Sequence, residues 1–295
     1  MGAADAIPGV SGGTIALITG IYEKLIVSIQ SFDLKFLKLV RHLNIKAAWE
    51  HVNGGFLATL LLGISVSLIA LARIITSLII NHPIQIWSFF LGLILISSFS
   101  VLRQITKWQI SHLFLLLAGA AIAYYITAIT PLQTPEAIWF IFVAGAIAIC
   151  AMILPGISGA FILLLLGKYE YIYSALRDLN LTIISVFVMG CIVGILPFSR
   201  VISWVLKHFH NSTIAVLSGF MIGSLNKIWP WKKTILFREN SAGKQVPLTE
   251  ENIFPGDYFE QTGNNPFILQ AILFIALGIL IVVIIEKIAK SQFKK

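Results

Sequence analysis

The sequence predicts an all-α, polytopic integral membrane protein. It is built of two inverted-topology repeats, each with a helix broken at a Pro-Gly-x-Ser-Gly tip so that the chain re-enters as a helical hairpin. Three observations carry this prediction. Of 295 residues, 58% are apolar and only 12% charged, about half the roughly 25% charged share of a soluble domain. Apolar runs close to the ~20 residues needed to cross a bilayer recur along the whole chain. A 23-residue string then returns in the second half with its proline, glycines and serine in place.

The runs follow in order. An apolar arm from Thr14 to Ile29 comes first, then Gly55 to Ile80, Ile84 to Leu102, Ile110 to Thr130 and Ala137 to Leu154. After PGISG come Ala160 to Leu176, Leu181 to Val205, Ser212 to Trp229 and Pro266 to Ile285. Trp49, Trp108, Trp139, Trp204, Trp229 and Trp231 stand at the ends of these runs, where interfacial aromatic belts lie. Polar segments separate them: Ser31 to Asn53, Arg103 to Gln109, and a long loop from Pro230 to Asn265 with room for a small hairpin.

Lys35, Lys38, Arg41, Lys46, Arg103, Lys107, Lys207, Lys287, Lys290, Lys294 and Lys295 fall on one side of the membrane, which the positive-inside rule makes cytoplasmic. The mixed-charge loop from Pro230 is then outside. The net charge of +8 suits a surface of anionic membrane lipids. It does not point to nucleic acid, because no basic run is interleaved with aromatics. Cys150 and Cys191 lie inside apolar runs and read as small buried thiols. No basic segment or cleavage site follows Met1, so no cleavable signal peptide is expected.

The repeat aligns Ile7–Ile29 with Leu154–Leu176 without gaps, and nine of 23 positions are identical. The pairs are Pro8 with Pro155, Gly9 with Gly156, Ser11 with Ser158, Gly12 with Gly159, Ile15 with Ile162, Leu17 with Leu164, Gly20 with Gly167, Tyr22 with Tyr169 and Glu23 with Glu170. A looser match pairs Gly63, Arg73 and Gly92 with Gly190, Arg200 and Gly219. Counting spans places the two copies in opposite orientations, which divides the chain into a first repeat, residues 1–130, and a second, residues 131–295. The second copy has a full apolar arm before its tip. The first lacks one, so either that arm is shortened or the natural chain starts earlier.

Breaking a helix in hydrocarbon strands backbone groups at several kcal/mol each unless something satisfies them. Pro8 and Pro155 break the helices. Gly9, Gly12, Gly13, Gly156 and Gly159 allow close backbone approach, and Ser11, Thr14 and Ser158 can cap or donate. The amides at the start of each following helix then suit a phosphate or carboxylate. Close helix packing by small residues is the plainer alternative. Arg73 and Arg200 sit in apolar spans at equivalent positions, where a guanidinium can take two phosphate oxygens or merely snorkel from a helix end. Glu23 and Glu170 are candidates to pair with these arginines, to carry a coupling proton, or to sit at the interface. Asp5 aligns with Met152, so any coupling or ion-pair role for it is confined to one half. The composition calls for no cofactor, the histidines form no metal set, and no catalytic residues stand out.

The string ADAIPGVSGGTIALITGIYEKL from Ala4 to Leu25, its echo LPGISGAFILLLLGKYEYI, and WPWK at Trp229 to Lys232 resemble the PopT-type polyprenyl-phosphate translocase family of bacterial membrane proteins. The resemblance runs along essentially the whole chain. It implies a flippase of the plasma membrane that returns undecaprenyl phosphate, the lipid carrier of peptidoglycan and other envelope polymers, from the outer to the cytoplasmic leaflet. The partners so implied are the polyprenyl phosphate and membrane lipids. A coupling ion, proton or sodium, and a homo-oligomer are left open.

An enzyme is the weaker reading. Lipid-phosphate phosphatases carry a Ser-Arg motif, but Phe198-Ser199-Arg200 here lacks the His and Asp that should follow it and the Pro-Ser-Gly-His upstream. A transporter or channel for a small anion is the stronger rival, since inverted repeats and helix N-termini serve it equally well.

Overall fold

A computed structural model describes residues 1–5, 11–129, 134–135, 137–239 and 245–292. The first part of the chain is α1 (Gly2–Asp5), α2 (Gly12–Ile18) and α3 (Tyr22–Gln30), followed by α4 (Leu34–Arg41) and α5 (Ile45–His51) and the long helices α6 (Gly54–Asn81), α7 (Pro83–Leu102) and α8 (Ile110–Ala128). Then come α9 (Ile138–Ile153), α10 (Gly159–Leu165), α11 (Tyr169–Arg177), α12 (Leu181–His208) and α13 (His210–Ser224). A hairpin of β1 (Lys232–Glu239) and β2 (Gln245–Asn252) leads to α14 (Pro255–Thr262) and α15 (Ile268–Gln292).

Among the described residues, five helices (α6, α7, α8, α12 and α15) are long and apolar enough to cross a membrane, and α2 with α3 would make a sixth if taken as one bent span. Two of the apolar runs are broken again beyond their tips. The arm from Thr14 to Ile29 turns by 115° between α2 and α3. The run from Ala160 to Leu176 divides into α10 and α11. Each break carries a glycine in the left-handed region, Gly20 at φ 73° and Gly167 at φ 62°, a conformation a Cβ would oppose. The run from Ser212 to Trp229 is helical only to Ser224, within a helix of 15 residues that starts at His210. It can be short and carry Ser and Thr because it is packed inside protein rather than against lipid.

Burial sorts the helices. More than half of α7 is buried, whereas α6, α12 and α15 keep most of their apolar side chains on the outside. The central cluster gathers Leu17, Tyr22 and Ile26 from the bent arm, Ile94 and Val101 from α7, and Ile214, Leu217 and Met221 from α13. Three helix pairs run close together: α7 with α15, α8 with α13, and α9 with α12. Glycines set these approaches. A Cβ at Gly92 would run into the Ile275 carbonyl and one at Gly278 into the Phe89 carbonyl; correspondingly, Gly219 faces the Leu116 carbonyl and Gly119 the Val216 carbonyl. Gln85 Nε2 donates to Gln270 Oε1 at 2.6 Å near the start of α7 and α15, and Asn211 Nδ2 donates to Thr106 Oγ1 at 3.3 Å near the start of α8 and α13. Both pairs are therefore parallel. Cys191 Sγ donates to the Gly145 carbonyl at 3.4 Å between α9 and α12.

The polar segments hold more structure than a reading as linkers allows. Asp33 caps α4 by accepting from Phe36 N at 2.9 Å, and Asn44 caps α5 from Ala47 N at 3.2 Å. These helices leave Leu34, Leu37, Ile45 and Trp49 exposed beside Lys35, Lys38, Arg41 and Lys46, the pattern of a helix lying in a membrane interface. The loop from Pro230 forms the antiparallel hairpin, which departs from an all-α fold in this one place. Trp229 Nε1 donates to the Ile253 carbonyl at 2.9 Å and Trp231 Nε1 to the Pro266 carbonyl at 2.8 Å. With Ile84, Tyr258 and Ala271 packed on Trp231, these bonds seat the hairpin and α14 on the starts of α7 and α15.

A methyl group at Gly92 or Gly219 must push a helix backbone away. Gly92→Ala and Gly219→Ala should each lower the thermal unfolding midpoint in detergent, at a cost of roughly 1–3 kcal/mol for overpacking. Gly63→Ala, with nothing within 4 Å of the added carbon, should leave it unchanged. Equal midpoints for all three would refute the close-approach role.

Candidate functional site

The sequence expects polar atoms at two helix breaks, and the described parts of the two breaks touch each other. Ser11, ahead of α2, is buried. Its Oγ accepts from Gly13 N at 3.1 Å and lies 3.2 Å from the Met152 carbonyl and 3.1 Å from the Leu154 carbonyl, to which it donates. Thr14 is fully buried, and its Oγ1 accepts from Gly156 N at 3.0 Å. Gly13 lies so near the Ile153 carbonyl that no side chain would fit. The carbonyls freed at the end of α9 and the amide freed at Gly156 are thus satisfied by hydroxyls of the first break.

The N-terminus of α2 already holds a carboxyl group of the chain itself. Asp5 Oδ1 accepts from Gly12 N at 2.7 Å, while Oδ2 is buried without a hydrogen-bond partner. A carboxylate at the first amide of a helix is what the helix dipole favours. The Gly-rich break is therefore filled by the chain's own carboxylate, a role that the missing counterpart at Met152 could have suggested.

The remaining candidates are distributed around this knot. Pro155 and Gly156, the latter at φ 83°, form the turn after α9, and Gly156 rests on the backbone of Phe220 and Met221 in α13. Ser158 is buried at the start of α10 and makes no capping bond; Gly159 packs on the Ala148 carbonyl. Pro8 and Gly9 lie outside the described residues, as does the side chain of Arg73, whose backbone belongs to α6. Arg200 is exposed on α12, three residues after Pro197, and makes no hydrogen bond or ion pair among the described residues. Glu23 does not pair with Arg200 there. Its Oε1 lies 3.8 Å from His210 Nδ1, and it lines a cavity of about 150 Å³ with Tyr22, Gln104 and Leu206. Glu170 occupies the first turn of α11, as Glu23 does in α3.

One buried cation escaped the sequence reading. Lys168 is 2% exposed, donates from Nζ to the Thr134 carbonyl at 2.9 Å, and lies 5.7 Å from the ring centres of both Phe140 and Tyr171. It aligns with Ile21, so the repeat gave no signal for it.

The undecaprenyl phosphate translocase-like family matches residues 1–246. A polyprenyl-phosphate transporter of Vibrio cholerae serotype O1 is 46% identical over 291 residues, covering 99% of this chain and 94% of the relative. A polyprenyl-phosphate transporter of Staphylococcus aureus is 32% identical over 251 residues, covering 78% of this chain and 83% of the relative. No solved structure matches.

Thr14→Val removes the acceptor of a buried amide while keeping the shape. It should lower stability by about 1–3 kcal/mol, the usual cost of an unsatisfied buried group, whereas Thr14→Ser should stay near wild type. Detergent unfolding midpoints decide it: a valine variant as stable as wild type would mean that the two breaks do not hold each other.

Proposed function

The chain belongs to the undecaprenyl phosphate translocase-like family, and on that premise we propose that it returns undecaprenyl phosphate from the outer to the cytoplasmic leaflet of the bacterial plasma membrane. The carrier is thereby supplied again to peptidoglycan and other envelope synthesis. The substrate class follows the relatives, which are named polyprenyl-phosphate transporters. The task is physically simple to state. An isolated phosphate in an apolar medium costs tens of kcal/mol by Born solvation, whereas a prenyl tail is at home in the bilayer, so the protein has only to shelter the headgroup.

The observation that carries this reading is the pair of broken helices joined by Ser11 and Thr14. Polar backbone at membrane depth is tolerated where it is covered by protein or lines a path. An inverted repeat is supported by more than the sequence match. Helices α2 and α10 both have seven residues and α3 and α11 both have nine. The contact of Gly92 with Ile275 also recurs, at the equivalent position, as that of Gly219 with Leu116. Residues 1–130 and 131–295 would then be the two repeats, with α7 and α13 each packed on the last long helix of the other half.

In the proposed cycle the halves rock by alternating access. When the breaks part, the headgroup phosphate takes the place of the Asp5 carboxylate at the Gly12 amide and is held by Gly9, Gly12, Gly13, Thr14, Gly156 and Gly159 with Ser11 and Ser158. Arg200 and Arg73, near opposite faces, receive it on either side. Glu23 with His210, and Glu170 in the other half, are the groups placed to take up a coupling proton.

Leaflet exchange of a labelled polyprenyl phosphate in liposomes tests this reading, with small-anion flux measured on the same vesicles. Arg73→Ala and Arg200→Ala should each abolish lipid exchange at normal protein levels. Exchange intact in both would remove the arginine relay, and anion flux without lipid movement would make the chain a small-anion transporter instead.

A further inference from the structure

A cavity of about 330 Å³ lies away from the joined breaks, between the end of α8, helix α10 and the β-hairpin. One wall is apolar, with Phe161 and Leu164 of α10. The wall facing it is charged. The side chain of Lys232 is only 8% exposed. Its Nζ donates to the Lys227 carbonyl at 2.7 Å, stands 3.5 Å from Glu250 Oε2, and lies 4.5 Å from the centre of the Trp87 ring. Lys227 Nζ is 3.7 Å from the same Glu250 oxygen. A single carboxylate oxygen therefore serves two ammonium groups. Thr249, the residue before Glu250, also lines the cavity, and its Oγ1 is buried with no hydrogen-bond partner.

This donor set is larger than its resident acceptor can satisfy. Two ammonium groups offer six N–H bonds and the threonine hydroxyl one more, against Glu250 and the carbonyl of Lys227. Two lysines exclude a metal cation. A planar carboxylate on a ligand would repeat what Glu250 already does and leave Thr249 unserved. A tetrahedral anion carries three terminal oxygens, one for each of Lys227, Lys232 and Thr249, which line the same cavity. We propose that this cavity binds a phosphate monoester, with Lys227, Lys232 and Thr249 as its ligands and Glu250 as the anion it displaces. The apolar wall of α10 continues the site as a seat for a chain attached to that phosphate. The chemistry rests on the cavity itself; the lipid as source of the phosphate rests on the transport reading. An occupant would touch α10, the helix that follows the second break, so filling the cavity bears directly on the element proposed to move.

Charge balance gives the site a pH dependence. Burial pushes Lys232 down from 10.5 to about 8, with neighbouring Lys227 adding to the fall and Glu250 opposing it; Glu251 lines the same cavity. The ammonium is thus present below about pH 8 and lost above it, and affinity for a dianion should fall as pH rises.

Binding of farnesyl phosphate and of inorganic phosphate to the purified full chain in detergent, each measured by calorimetry, tests the site. Lys227→Gln and Lys232→Gln should each weaken binding roughly tenfold or more, the usual loss for a charged hydrogen bond. Glu250→Gln should tighten it, a gain that misfolding cannot mimic. Wild-type affinity should decline from about pH 7 to about pH 9, while Lys232→Gln stays flat. Preference for farnesyl phosphate assigns a lipid source, and equal binding of both probes assigns free phosphate. Wild-type affinity in both Lys227→Gln and Glu250→Gln overturns the site, as does binding of neither probe by wild type. Leaflet exchange on the same preparations separates the two readings. Exchange that persists while the variants bind like wild type removes the cavity alone. Absent exchange with the predicted binding changes removes the transport reading alone.

Discussion

Every buried peptide N–H and C=O that leaves a helix needs a partner from the chain itself, because a dry interior offers none. That constraint governs the joined breaks. Ending α9 at Ile153 frees carbonyls that Ser11 takes up, and turning the chain at Gly156 frees an amide that Thr14 takes up. Starting α2 at Gly12 frees an amide that Asp5 takes up. Both hydroxyls come from the first break, so the backbone groups of the second are not satisfied without it. The two broken elements are held as one unit by two short polar side chains, Ser11 and Thr14, while Asp5 closes the first break on itself.

Helix packing around that unit follows the same economy of space. The pairs α7 with α15 and α8 with α13 approach closely enough that a glycine meets a backbone carbonyl. Without a hydrophobic drive between helices in lipid, such contact supplies much of the association energy. The arrangement also explains why α13 can be short and rich in Ser, Thr and Gly. It is surrounded by α7, α8 and the central cluster, so its own apolarity is not what keeps it in the membrane. A hydropathy count reads such a helix poorly for that reason.

The long helices and the two breaks were legible because each has a local signature: an unbroken apolar run, or Pro and Gly where a run should continue. The partners that satisfy the breaks were not legible. Ser11 and Thr14 were expected to face a ligand, yet they face residues about 140 positions away, a pairing no local pattern encodes. Asp5 was visible as an acidic residue without a counterpart, but not as the cap of α2. A hairpin in the loop from Pro230 was allowed for but not located, because its strands, Lys232–Glu239 and Gln245–Asn252, show no clear alternation of apolar and polar residues. Its seat depends on the indole N–H bonds of Trp229 and Trp231, which an interfacial-belt reading treats as generic. Lys168 stands in the middle of an apolar run and Lys232 just past the end of one, and neither position marks a long cation as buried. Their burial arises from rings and carbonyls contributed by other elements.

Asp5 and Glu250 share a physical role. Each carboxylate sits on donors suited to a phosphate: the Gly12 amide at a helix start, and the Lys227–Lys232 pair beside an unpartnered threonine. Buried donors left empty would cost the resting protein the desolvation of each group, and two neighbouring lysines without a counter-charge would repel each other. A resident carboxylate removes both penalties. It also limits how tightly an arriving phosphate can bind, since only the difference between dianion and carboxylate remains as net affinity. For a carrier this is an advantage, because a substrate bound by the full strength of such donors would not leave. Internal carboxylates in both places thus keep the protein stable when empty and its proposed cargo exchangeable when bound.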